Sequence, residues 1–169
     1  MKNLFCLILL FSITINLFGQ TNKQGKVKLL NFRTNKIVNI YDSDTKEKVI
    51  AKIKDDTISE NYYWFYVISK RDSMIKIVAS STQNTKKEIK GWMKITDAGI
   101  YTRPKANVYY IYKKPNYDSD KIKLEEDEFV KVLDIYGSWL KVEIKYKNRI
   151  YRYWLPYEYQ CDDVYNSCT

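Results

Sequence analysis

Apolar residues recur along this chain mostly at every second position. Lys26-Val27-Lys28-Leu29 alternates, and Val49-Ile50-Ala51-Lys52-Ile53 is a short apolar run of the same kind. A period of two predicts strands, because successive strand side chains point to opposite faces. Residues 63–69 form a dense aromatic and β-branched run, which predicts a strand buried on both faces. The charged residues Lys70-Arg71-Asp72-Ser73 predict a turn from that run into a strand over 74–79, hence a hairpin. Phe129–Tyr136, Trp139–Tyr146 and Arg149–Leu155 read as three consecutive strands. Gly137-Ser138 makes the first turn between them and Lys147-Asn148 the second; a two-residue loop with Asn suits a tight hairpin. No convincing amphipathic helix is present, and residues 84–89 have room for one helical turn at most. The expected class is all-β, in small barrels or a sandwich.

The pattern also repeats. Val38-Asn39-Ile40-Tyr41 matches Tyr109-Tyr110-Ile111-Tyr112, and each is followed by a polar turn. Val49-Ile50-Ala51-Lys52-Ile53 corresponds to Lys121-Ile122-Lys123-Leu124, and each ends in an acidic turn, Asp55-Asp56 or Glu125-Glu126-Asp127. Ser73-Met74-Ile75-Lys76-Ile77 matches Ser138-Trp139-Leu140-Lys141-Val142. Both copies close on a tryptophan, in Gly91-Trp92-Met93 and in Tyr153-Trp154-Leu155. Ordered matches with slightly different spacings predict two units on one scaffold, differing in their loops. Trp92, Trp139 and Trp154 are expected to pack in the cores of these units.

The first twenty residues follow another rule. Lys2 precedes an apolar stretch from Phe5 to Leu17, and Gly19 offers a small residue for cleavage before a polar sequence. This layout predicts a secretory signal peptide over 1–19, and the stretch is too short and interrupted for a membrane span. The mature chain would then be secreted or periplasmic, with no transmembrane span. Cys6 leaves with the leader, and Cys161 and Cys168 remain. An even pair in an oxidising compartment reads as a disulfide closing a loop of about eight residues, worth about 2–3 kcal/mol. The long spacing and the flanking Asp162 and Asp163 argue against a redox dithiol.

Composition narrows the function. The 169 residues contain no histidine, which excludes Ser-His-Asp and Cys-His catalysis and imidazole metal sites. The run Glu125-Glu126-Asp127-Glu128 reads as a charged turn, not as an acid and a base placed across a cleft. Asn116, Asp118 and Asp120 resemble the start of a calcium loop, but Lys121 stands where that loop requires Gly. The expectation is a protein that is not an enzyme, with no metal and no cofactor.

The repeated unit resembles the bacterial SH3-like domain. The resemblance rests on Val38-Asn39-Ile40-Tyr41, the alternation ending in Asp55-Asp56, the strand at Met74 to Ile77, and Gly91-Trp92-Met93. In the second copy, Gly137-Ser138-Trp139-Leu140-Lys141-Val142 is similar to the family's Gly-x-Trp-x-Lys-Val strand, while Tyr153 stands where the family usually has Gly. The close of the chain, from Trp154-Leu155-Pro156 to Cys168, looks like the ending of exported tandem SH3-like proteins of Bacteroidetes-type bacteria. The resemblance implies two tandem five-stranded barrels, at 25–95 and 104–160, followed by a disulfide-closed tail at 161–169. It also implies a binding role toward a peptide, peptidoglycan or an envelope protein. Tyr41 and Tyr112 precede the first long loop of each unit, which borders the ligand groove in SH3-like folds. They are therefore candidate contacts.

Two further features bear on partners. Residues 20–95 carry 16 basic and 8 acidic residues, whereas residues 96–169 carry 12 of each. The basic first unit suits an anionic partner, and export argues against nucleic acid. In Tyr62-Tyr63-Trp64-Phe65-Tyr66, alternation places Tyr62, Trp64 and Tyr66 on one face and Tyr63 and Phe65 on the other. One face belongs to the core. The other is either a binding strip or an interface covered by the second unit, and the need to bury such strips favours the interface. An exported inhibitor or immunity-type protein that blocks an enzyme by protein–protein contact is the alternative function.

Overall fold

A computed structural model describes residues 27–32, 37–103 and 107–163. The expected leader at 1–19 and Cys168 lie outside the described residues. Strands are, in chain order, β1 (Lys28–Asn31), β2 (Val38–Tyr41), β3 (Val49–Ile53), β4 (Tyr63–Arg71), β5 (Met74–Ser81), β6 (Ile89–Lys94) and β7 (Ala98–Thr102). They continue with β8 (Tyr109–Tyr112), β9 (Lys121–Leu124), β10 (Phe129–Tyr136), β11 (Trp139–Tyr146), β12 (Arg149–Leu155) and β13 (Gln160–Cys161). Short 3₁₀ turns at Ile95–Asp97 and Tyr157–Tyr159 are the helical elements among the described residues.

The fold is all-β, and every strand pair is antiparallel. The order is β3-β2-β6-β5-β4-β1-β7-β10-β11-β12-β8-β9, and β13 joins the side of β7. This order repeats itself. Adding six to each strand number turns β1·β4, β4·β5, β5·β6, β6·β2 and β2·β3 into β7·β10, β10·β11, β11·β12, β12·β8 and β8·β9. The contact β1·β7 likewise becomes β7·β13. Register agrees as well: Tyr41 and Lys76 flank Trp92, as Tyr112 and Lys141 flank Trp154. A 3₁₀ turn follows β6 and another follows β12. The sequence matches thus fall on equivalent strands.

The halves are joined through β7. Sequence reasoning left residues 96–103 between its two units, yet β7 pairs there with β1, β10 and β13. Pairing therefore runs unbroken across the described residues as one open sheet. Its inward positions form a single apolar cluster that includes Leu29, Ile40, Phe65, Ile77, Ile100, Tyr109, Val132, Leu140 and Leu155. Each fully buried Leu, Ile or Val side chain contributes about 1.5–3 kcal/mol.

Local chemistry explains the sharpest bends. Lys147 and Asn148 both have positive φ, 48° and 61°, as a two-residue hairpin turn demands. Gly91 lies where β2 crosses β6: a Cβ there would stand 2.5 Å from Ile40 Cγ2 and 2.7 Å from the Tyr41 carbonyl oxygen. The β4–β5 hairpin extends to Arg71 and turns at Asp72, whose φ is 50°. β4 differs from expectation in one respect. Only Phe65 of its nine residues is fully buried, so its outer face stays partly open.

Candidate functional site

On β4, Phe65 points into the core and Tyr63 packs against it, so Trp64 and Tyr66 take the outer face. Ser80 and Val78 of β5 lie directly opposite them. A register shift between Val67 and Ser69 breaks the alternation and leaves Ile68 exposed beside them. The result is an open groove of about 640 Å³, with Trp64, Tyr66, Ile68 and Val78 as its apolar lining and Thr85 and Glu88 on its rim. Lys28 of β1 holds its Nζ 4.7 Å from the Trp64 ring centre and 3.5 Å from an Asp162 carboxylate oxygen. The Trp64 Nε1 is shut off from solvent and has no hydrogen-bond partner among the described residues. Tyr62 stands outside this groove; its N–H donates to Thr82 Oγ1 at 3.0 Å. The strip is thus half-buried, and its Trp64–Tyr66 part faces an open groove.

A second aromatic surface forms at one end of the other half. Tyr112 of β8 meets Trp139 of β11 edge-on at 5.4 Å and Tyr117 at 5.6 Å, and Tyr117 lies 4.8 Å from Trp139. The Tyr117 hydroxyl donates to Glu158 at 2.9 Å. Desolvation, and then the Glu158 carboxylate, push the Tyr117 phenol up to about 12. Lys121 Nζ sits 4.8 Å above the Tyr110 ring and 5.8 Å from that of Tyr112. Tyr112 itself is only 5% exposed, so it supports this surface from beneath. Tyr117 is exposed on it, as is Tyr136, which stands opposite Trp139 and meets Trp154 edge-on at 6.4 Å; Tyr157 is exposed too.

Among the described residues, the first half has no such patch. Met74 stands opposite Lys94 at the start of β5, where the second half has Trp139, and Met74 is buried. Tyr41 is half-buried, and the loop after it is held by Ser43, Thr45 and Glu47 through polar bonds. The structure therefore brings Tyr112 into an aromatic cluster and leaves Tyr41 without one. Sequence reasoning missed Tyr117, which lies in a turn without periodicity, and assigned Trp139 to the core. Trp92, Trp139 and Trp154 are all half-buried, because their positions in β6, β11 and β12 alternate with the inward ones.

Buried charge is sparse. Asp55 is 4% exposed, and burial pushes its carboxyl from 3.8 to about 6, against the pull of hydrogen bonds from Asn31 and the Tyr63 N–H. Burial and then Glu126 raise Glu128, whose N–H donates to Thr102 Oγ1 at 2.7 Å. These carboxyl groups belong to different halves of the repeat. Among the described residues, no group of three or more Cys, Asp or Glu is placed to hold a metal ion. Asn116, Asp118 and Asp120 lie in the β8–β9 turn, where the Lys113 N–H donates to the Asp120 carbonyl at 2.8 Å. Cys161 is buried in β13, and Cys168 lies outside the described residues. No helix among them is long and apolar enough to cross a membrane.

No family model, curated protein or solved structure matches this chain.

Proposed function

We propose that the chain is an exported binding module of two SH3-like units that grips a peptide, a cell-wall fragment or an envelope partner protein. The groove over Trp64 and Tyr66 carries this reading. Flat rings with a polar rim suit a peptide or a sugar backbone, which offers apolar faces and regularly spaced polar groups. The repeat of strand pairing at an offset of six strands and the two 3₁₀ turns support the SH3-like reading. The leader-like first nineteen residues support export, and the Cys161–Cys168 bridge is proposed with it. The function is non-enzymatic, and the basic first half favours an anionic partner.

Exposed Tyr136 and Tyr157 favour a second reading, an inhibitor that blocks an enzyme by contact. Pull-down of the purified protein on insoluble peptidoglycan, beside capture from an envelope extract, separates the two. A wall binder is retained by peptidoglycan and loses retention on Trp64→Ala. An inhibitor passes through and copurifies with one protein in stoichiometric amount. Neither retention nor copurification would overturn both.

A further inference from the structure

The sheet has two ends, β3 and β9, at equivalent places in the two halves. An end strand is paired on one side only, so alternate residues turn their backbone N–H and C=O groups outward. The two ends are guarded differently. β9 presents Lys121 and Lys123, both exposed, and Lys123 lies 3.4 Å from Glu125. Charge of this kind discourages pairing with another chain. β3 has an exposed lysine at one equivalent position, Lys52, but also exposes Val49 at 40% and Ile50 at 45%. Among the described residues, it pairs with β2 and with no other strand.

A cleft of about 600 Å³ lies beside β3. Ile50, Ala51 and Lys52 line one side, and Tyr63, Gln83 and Lys87 are among the residues opposite. The connection over 82–88 lies between this cleft and the Trp64 groove: Thr85 lines the groove, Gln83 and Lys87 line the cleft, and Glu88 lines both. The matching cleft of the second half is smaller, about 380 Å³, and its charged lining is Glu125, Glu126 and Glu128 with Lys145 and Lys147. The β3 cleft has two lysines, Lys52 and Lys87, to one glutamate, Glu88, and so leans basic where the other leans acidic. Lys46, Lys48, Lys52, Lys54 and Lys87 are all exposed, and none makes an ion pair among the described residues.

We propose that β3 is a docking edge for an extended acidic peptide, which joins the sheet as a further strand. Main-chain bonds to β3 supply affinity, and alternate side chains supply selectivity. Apolar residues of the peptide lie against Ile50, and its carboxylates reach Lys52 and Lys87. This surface shares Glu88 with the rim of the aromatic groove and is otherwise lined by different residues.

The test is a fluorescein-labelled peptide alternating Val and Glu, titrated into the purified protein and followed by anisotropy. A Val-Lys peptide serves as control, and amide hydrogen exchange locates the contact. Binding of the acidic peptide alone is expected, with slower exchange at Val49–Ile53. The exposed double variant Lys52→Glu/Lys87→Glu should weaken it by about tenfold or more at low salt. Trp64→Ala should leave it unchanged, so failure here and failure of the groove are distinguishable. The proposal is overturned by no binding, by equal binding of both peptides, or by protection that spares β3. Concentration-dependent dimers that protect β3 would also overturn it, by giving the edge to a second copy.

Discussion

Asp55→Asn tests how the turn before β4 is held. Asp55 is buried, and its carboxyl is raised from 3.8 to about 6 by desolvation. A raised folded pKa means that the fold prefers the protonated form. The stabilising contribution is therefore complete below the unfolded value and is lost as pH rises through about 6. At 1.36 kcal/mol per unit, the loss totals about 3 kcal/mol, of which about 2 falls between about pH 4.5 and about pH 8. Asparagine is neutral throughout and still offers an oxygen to the Tyr63 N–H, which donates to Asp55 Oδ1 at 3.1 Å. The variant should gain on the wild type by about 2 kcal/mol across that pH span, about 4–8 °C in Tm for a chain of this size. Urea unfolding of both proteins at several pH values measures the gap, and other titrating groups cancel in the difference. A gap that stays constant with pH would refute the reasoning.

Other outcomes follow from the same structure. Gly91→Ala should cost about 1–3 kcal/mol in denaturant unfolding, because its Cβ meets the Tyr41 carbonyl oxygen at 2.7 Å, a backbone atom that cannot swing away. Thr102→Val should cost about 1–3 kcal/mol in the same assay, since it removes the acceptor of the Glu128 N–H while Thr102 is 1% exposed. Intact mass of the exported protein should rise by two hydrogens on reduction, and two free thiols beforehand would exclude the Cys161–Cys168 bridge.

Much of the fold is legible in the sequence because strand period and turn chemistry act locally. β10, β11 and β12 begin and end at the residues where alternation starts and stops, and Lys147-Asn148 takes the conformation its residue types favour. The equivalence of Tyr41 with Tyr112, and of Trp92 with Trp154, is visible as ordered matches. What joins the halves is not visible. Ala98-Gly99-Ile100-Tyr101-Thr102 lacks clean alternation because β7 is covered on both faces, with all but Tyr101 of its residues buried, and it pairs with β1, β10 and β13. The Trp64 and Tyr66 face follows from period two, but its groove depends on a bulge after Val67 and on the distant residues Thr85 and Glu88. Tyr117 escapes any local rule, since only the fold carries its turn to Trp139 and Glu158.

The account rests on Trp64 and Tyr66 forming a recognition surface. Amide hydrogen exchange of the purified protein, with and without a solubilised envelope fraction, tests this directly. Slower exchange across Trp64–Ile68 and Val78–Ser80, abolished in Trp64→Ala while its circular dichroism is unchanged, is the predicted result. Exchange there that ignores the envelope fraction, or protection confined to other strands, would contradict it.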